Sequence, residues 1–303
     1  MANTSPRIGF IGIGLMGHGM AKNIAGKGFA LTFLKRRGTP GAGADLIALG
    51  AHEVDSPREI AAASDIIILC VTGSPDVESV CFGTNGIATA ARPGLVVVDT
   101  STAEPTSTQV MRDRFAVMGI DFVDAPLART PVEAELGKLN TMVGATDESF
   151  ARLEPVLKAY CENIFHVGPP GAGHKVKLMN NFIAQAICAA TAEAFAASVK
   201  SGVDPKQLVR VVSAGGVNSG LFQAMAKALD GDMQGLKFQL DNARKDLRYY
   251  THFTESMPLA GWLGEAVHQS LVQACALGLG DGMVAELVTA QERVNGIRIT
   301  PSR

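Results

Sequence analysis

The sequence predicts an α/β fold, a doubly wound parallel sheet followed by an all-α region, and three observations carry the prediction. A short apolar run at residues 8–11 passes straight into Gly12-x-Gly14-x-x-Gly17. Further apolar, β-branched runs alternate with helical patterns up to about residue 168, as a parallel sheet covered on both faces requires. From about Gly171 the strand-like intervals stop and alanine-rich helical patterns take over.

Taken in order, residues 8–11 form the first strand and residues 20–24 belong to the first helix. The glycines between them have separate tasks: Gly12 permits a tight turn, Gly14 lets the backbone approach a pyrophosphate, and Gly17 lets helix and strand pack closely. Leu15 and Met16 complete the loop, which delivers phosphates to the positive end of a helix. A strand, turn and helix in this order make a Rossmann-type dinucleotide fingerprint. Strands are predicted at 30–34, 65–71 and 95–99, with 122–125 and 141–144 continuing the sheet. Helices at 43–49 and 57–63 lie between them, giving right-handed crossovers. A long helix is predicted over 177–200, stopped near Gly202, then helices at 205–212, 222–229, 240–254 and 258–277. The chain therefore divides into a dinucleotide-binding domain, 1–168, and a helical substrate and oligomerisation domain, 169–303, with small ligands expected in a cleft between them.

A chain of 303 residues can bury two cores. Its formal charge of -2 provides no electrostatic footprint for nucleic acid or an anionic membrane. The five cysteines are odd in number and lack a CxxC spacing, which argues against a disulfide framework or a zinc site and predicts a reducing, cytoplasmic setting. No metal is expected. The first six residues lack a secretory pattern, and no uninterrupted apolar run is expected to reach membrane-spanning length.

The residue after the second strand stands beside the adenosine ribose in this fold: an acid there bonds the free 2'-hydroxyl, a cation accepts a 2'-phosphate. Lys35-Arg36-Arg37 occupies that place, with no acid in the turn. NADP(H) is therefore the preferred cofactor, with NAD(H) as the alternative, and FAD is disfavoured. The spacing also allows a merely solvated charged loop. Farther on, Lys177 and Asn181 are four residues apart and share a helix face. Interconverting an alcohol and a carbonyl needs a group that takes or returns the hydroxyl proton. A lysine does this when desolvation and nearby positive charge lower its pKa, and an asparagine can hold the substrate oxygen or the lysine. Spacing alone equally allows a lysine lying along a helix beside a structural asparagine.

Several motifs then occur in a fixed order: residues 9–17, Met20-Ala-x-Asn23, Asp99-Thr-Ser-Thr102, Asp124-Ala-Pro126, Lys177-x-x-x-Asn181 and Lys245-Asp246. Together they resemble the β-hydroxyacid dehydrogenases, the family of 3-hydroxyisobutyrate dehydrogenase and tartronate semialdehyde reductase, related to 6-phosphogluconate dehydrogenase. The resemblance implies that Lys177 is the general acid/base, with Asn181 as its substrate-binding companion. It places Thr102 beside the nicotinamide, has Lys245 close the cleft over substrate and cofactor, and implies a homodimer or homotetramer. Two segments depart from the family pattern. Cys70-Val71-Thr72-Gly73 replaces a common Met-Leu-Pro, leaving Val71 and Thr72 as the cofactor contacts there. Leu127-Ala128-Arg129-Thr130 replaces Val-Ser-Gly-Gly, so the usual carboxylate-binding serine is Ala128. Arg129 and Thr130 take its place as predicted substrate residues, because a guanidinium fork suits a carboxylate, sulfonate or phosphate. This Arg-Thr pair is similar to sulfolactaldehyde reductases, which use NADH, unlike the reading of residues 35–37. The predicted substrate is a small anionic aldehyde or hydroxy acid. An imine reductase and a noncatalytic NADP-binding module are the alternatives, and Lys177 argues against both.

Overall fold

The computed structural model describes residues 5–36, 38–39 and 41–301. Arg37, the third of the predicted phosphate-binding cations, lies outside the described residues. The chain forms two compact units that divide between Lys177 and Leu178.

The first unit alternates strands and helices: β1 (Ile8–Ile11), α1 (Gly17–Gly26), β2 (Leu31–Leu34), α2 (Ala44–Ala48), β3 (His52–Val54), α3 (Pro57–Ala63), β4 (Ile66–Leu69), α4 (Ser74–Phe82), β5 (Val96–Asp99), α5 (Pro105–Ala116) and β6 (Asp121–Asp124). It continues through β7 (Leu127–Ala128), α6 (Pro131–Glu135), β8 (Leu139–Gly144), α7 (Asp147–Leu157) and β9 (Cys161–Gly168). Spatial order is β3-β2-β1-β4-β5-β6-β8-β7, with β9 paired to β8. All pairs from β3 to β6 are parallel. The topological reversal falls between β1 and β4, which is where open sheets of this kind open a ligand crevice at the carboxyl ends of their strands.

Strand periodicity explains the two-faced core. Ile8, Phe10, Ile66, Ile68, Val96 and Val98 enter one buried cluster, while Ile11, Ile67, Leu69 and Val97 alternate into the other. Each such side chain contributes roughly 1.5–3 kcal/mol by leaving water. The short strand β3, with its exposed His52, and the antiparallel β7 have no long apolar run behind them, and the sequence reading missed both. It also missed β9, which has only one buried residue, Cys161.

The helix α8 (Ala172–Lys200) starts five residues before its predicted position and contains the division between units. The division lies beyond the expected 168/169 because the first turn of α8 is tied to β6: Asp124 accepts hydrogen bonds from the Gly171 and His174 amides. In the second unit follow α9 (Pro205–Ser213), α10 (Gly220–Ala226), α11 (Leu240–Glu255), α12 (Trp262–Ala274) and α13 (Glu286–Asn295). Helix α12 is shorter than predicted at both ends. Pro258 and Gly261 precede its start, and after Ala274 the chain passes into a π-helical segment with Gly278 at φ +79°.

The expectation about membrane-spanning length concerns uninterrupted apolar runs, and Gln185, Thr191 and Glu193 interrupt the one in α8. Helix α8 is long and apolar enough to cross a membrane by length and composition, with a mean hydropathy of 1.5 in its most apolar window. Its apolarity serves packing: Leu178, Cys188, Ala192 and Phe195 recur at helical spacing and are buried in the core of the second unit.

Candidate active site

The turn after β1 has the division of labour that the glycine spacing predicts. Gly12 sits at φ +106°, and a Cβ there would lie 2.2 Å from the Cys70 carbonyl oxygen. At Gly17 a Cβ would lie 2.0 Å from the Gly12 carbonyl oxygen. Nothing lies within 4 Å of the corresponding position at Gly14, so backbone is exposed to open space there. Two glycines thus shape the turn and the third leaves room for a ligand. Leu15 projects into solvent, 81% exposed, and Met16 is half-buried against the core.

Around this turn stand the ends of the neighbouring strands. After β2, Lys35 Nζ is drawn to the acids of the adjacent strand end, 3.9 Å from Glu53 and 3.8 Å from Asp55. Arg36 instead leans back to the glycine turn, with Nη1 3.5 Å from the Ile13 carbonyl oxygen. The two cations therefore differ: Arg36 borders the cradle and Lys35 is partly neutralised. After β4, the Val71 amide donates to Ser101 Oγ at 3.0 Å, and Thr72 is exposed beside it. Ser101 and the half-buried Thr102 follow β5, whose last residue, Asp99, accepts from the Ser101 amide at 2.9 Å.

The start of α8, one turn before Lys177, is tied to this edge of the sheet. Asp124, fully buried at the end of β6, takes the Gly171 N–H on Oδ1 at 2.6 Å and the His174 N–H on Oδ2 at 2.9 Å. A carboxylate at a helix start satisfies orphan amides and complements the helix dipole. The approach is too close for side chains: a Cβ at Gly173 would lie 2.4 Å from the Met142 carbonyl oxygen. Lys177 stands one turn farther along, half-buried, while Lys175 is exposed.

In the second unit, Asn181 is buried and donates through Nδ2 to Asp246 Oδ2 at 2.6 Å. Lys245 Nζ lies 3.0 Å from the other oxygen of the same carboxylate. Asp246, only 3% exposed, thus joins the asparagine and the lysine that the sequence reading singled out separately.

The predicted substrate loop is engaged within its own unit. Arg129 has φ +82°, and its Nη1 donates to both the Glu162 carboxylate and the Lys138 carbonyl oxygen. Thr130 is the N-cap of α6: its hydroxyl accepts from the Val132 amide and bonds Glu133, whose carboxylate also takes the Thr130 N–H. This capping box organises the loop. Among the described residues, no group of three His, Cys, Asp or Glu is arranged to hold a metal.

Residues 7–168 match the family described as the NAD binding domain of 6-phosphogluconate dehydrogenase, and residues 171–290 match the NAD-binding region of NADP-dependent 3-hydroxyisobutyrate dehydrogenase. A 2-(hydroxymethyl)glutarate dehydrogenase of Eubacterium barkeri is 33% identical over 98% of both chains. The chain belongs to the β-hydroxyacid dehydrogenase family. It is an oxidoreductase that binds a nicotinamide cofactor. A 2-hydroxy-3-oxopropionate reductase of Escherichia coli K12 is 32% identical over 90% of this chain and 92% of its own. The crystal structure of a 3-hydroxyisobutyrate dehydrogenase from Salmonella typhimurium superposes with a TM-score of 0.81 at 27% identity, covering 93% of this chain and 99% of the other. Four polar residues of the site region escaped the sequence reading as participants: Asp99, Asp124, His174 and Asp246. Asp99 and Asp124 carried a signal, since each ends an otherwise apolar strand run.

Proposed function

We propose that this member of the family is an NADP(H)-dependent reductase that interconverts a small anionic 3-hydroxy acid and its semialdehyde, with Lys177 as general acid/base. The observation that supports this reading is the anchoring of the first turn of α8, one turn before Lys177, by Asp124 at the carboxyl end of β6. Open space at Gly14 between two sterically closed glycines fits a pyrophosphate, and Arg36 beside the turn fits a 2'-phosphate. The nicotinamide supplies or accepts the hydride. Lys177 donates a proton to the carbonyl oxygen during reduction and takes it back from the hydroxyl during oxidation. Asn181 and Lys245, both held by Asp246, orient polar groups of the substrate. Arg129 pairs with the substrate anion by exchanging Glu162 for a carboxylate or sulfonate. The relatives named for 2-(hydroxymethyl)glutarate and 2-hydroxy-3-oxopropionate support a small acid carrying a hydroxymethyl or aldehyde group. The enzyme works in the cytoplasm, a reading in keeping with its five free cysteines, and the family resemblance favours a homodimer or homotetramer.

The test is an NADPH oxidation assay with tartronate semialdehyde, methylmalonate semialdehyde, succinic semialdehyde, glyoxylate and sulfolactaldehyde, repeated with NADH. Turnover of at least one of them, faster with NADPH, is expected. Turnover of none, or turnover confined to NADH, overturns the reading.

A further inference from the structure

Below the proposed site lie buried charges that the reaction itself does not use. Asp99 at the end of β5 and His174 on the first turn of α8 are at most 1% exposed. Asp124 explains itself, since both of its oxygens accept backbone N–H groups. Asp99 and His174 do not. Thr108 Oγ1 lies 3.0 Å from the Glu104 carbonyl oxygen and 2.7 Å from His174 Nδ1. The Glu104 carbonyl already receives the Thr108 amide, so the Thr108 hydroxyl can face either acceptor, and the ring accepts from it or donates to it according to its tautomer. The other ring nitrogen, Nε2, faces Asp99 Oδ2 at 3.7 Å and has no hydrogen-bond partner. Asp99 already accepts the Ser101 amide, so the unmet polar atom is His174 Nε2, and leaving it without a hydrogen bond is costly in a buried site. One proton between the two side chains removes that cost, whether it sits on nitrogen or on oxygen.

We propose that Asp99 and His174 form a buried pair holding a single proton, and that the pair positions Lys177. Both are positioning residues, since neither touches the reacting atoms. His174 and Lys177 are three residues apart on one helix face. Asp99 also shapes the turn toward Thr102 by accepting the Ser101 amide. The pair therefore locks the helix of the proton-transfer lysine to the turn that the family resemblance sets beside the nicotinamide. Asp124 faces it from β6, Cys70 from the end of β4 and Cys81 from α4. Burial holds the Asp99 carboxyl above the usual carboxylate range; His174 opposes that rise and Asp124 adds to it. The functional part of the inference rests on the assignment of Lys177.

Two variants and one spectroscopic readout test it. Nitrogen-15 NMR of the imidazole should show His174 Nε2 coupled to Asp99, its resonance differing clearly between wild type and Asp99→Asn while the other histidine signals stay in place. In Asp99→Asn the side-chain amide can donate to Nε2, so the link survives. His174→Phe fills the space and removes the link. His174→Phe should lower kcat by on the order of 10- to 100-fold, a loss typical of a misplaced catalytic group, and displace the pH–rate profile. NADPH affinity, read by fluorescence titration, should stay nearly unchanged, and Asp99→Asn should lose much less activity. The proposal is overturned if the His174 Nε2 resonance is the same in wild type and Asp99→Asn. It is equally overturned if His174→Phe lowers only the melting temperature while kcat and its pH profile match wild type. The NMR result does not depend on Lys177, so an active Lys177→Met variant would defeat the functional reading and leave the one-proton pair standing.

Discussion

The loop after β1 and the loop after β7 both lead from a strand into a helix, both hold a residue at positive φ, and they sustain it by opposite means. After β1 the residue is Gly12, and the Cys70 carbonyl leaves no space for a Cβ. After β7 it is Arg129, the one non-glycine residue at positive φ among the described residues. A side chain in that region costs roughly 1–3 kcal/mol, here offset by the bonds to Glu162 and Lys138 and by the capping box at Thr130. The first loop is shaped by what it excludes, the second by what its side chains hold.

Substitutions within the β1 loop should separate steric necessity from ligand access. Gly12→Ala must displace backbone and adopt a strained φ, so it should cost more than about 3 kcal/mol in urea unfolding and abolish NADPH binding. Gly14→Ala meets no protein atom. It should keep stability to within about 1 kcal/mol while still weakening NADPH binding at least tenfold, because only the ligand would meet the new methyl. Equal stability losses at the two positions would erase the distinction.

The β7 loop should respond in its ligand rather than its fold. Arg129→Ala should raise KM for the anionic aldehyde by on the order of 10- to 100-fold with a smaller change in kcat, as expected from losing a charge-assisted pair. Glu162→Gln should lower that KM by releasing the guanidinium. A next smaller effect is expected beside the first loop: Lys35→Asp with Arg36→Ala should reduce NADPH affinity about tenfold more than NADH affinity. Comparing the single variants should show that Arg36 carries most of it, since Lys35 is already drawn to Glu53 and Asp55.

The smallest effect concerns the bridge between the two loops. His18 on α1 contacts Glu135 of α6 at 2.8 Å and Asp45 of α2 at 3.0 Å. Burial pulls its pKa down, but the two carboxylates outweigh this and hold it above the usual histidine value. The folded-state pKa thus exceeds the unfolded one, so this stabilisation is complete below about pH 6.5 and is lost as pH rises through the folded value. His18→Gln should flatten that decline in thermal unfolding scans, by no more than about 1 kcal/mol.

The contrast also marks where sequence reading reached its limit. Apolar runs disclosed β1, β4 and β5, and the glycine spacing disclosed the turn, because steric exclusion is local and dictates residue type. That Lys177 and Asn181 lie on one helix was legible through helical periodicity. Pairings across long separations were not: Asn181 with Asp246, Arg129 with Glu162, and His174 with Asp99 join segments that only the fold brings together. Asp124 entered the sequence reading only within a family motif, and its bonds to the distant Gly171 and His174 amides give no local signal.

The most direct measurement is single-turnover reduction of an accepted semialdehyde by NADPH prebound to wild-type and Lys177→Met enzyme, followed across pH. The variant should bind NADPH with nearly unchanged affinity, lose on the order of 100- to 10,000-fold in the reduction step, and lose the pH dependence of the lysine. A reduction step of unchanged rate and pH profile in Lys177→Met would contradict the assignment of Lys177 as the proton-transfer group.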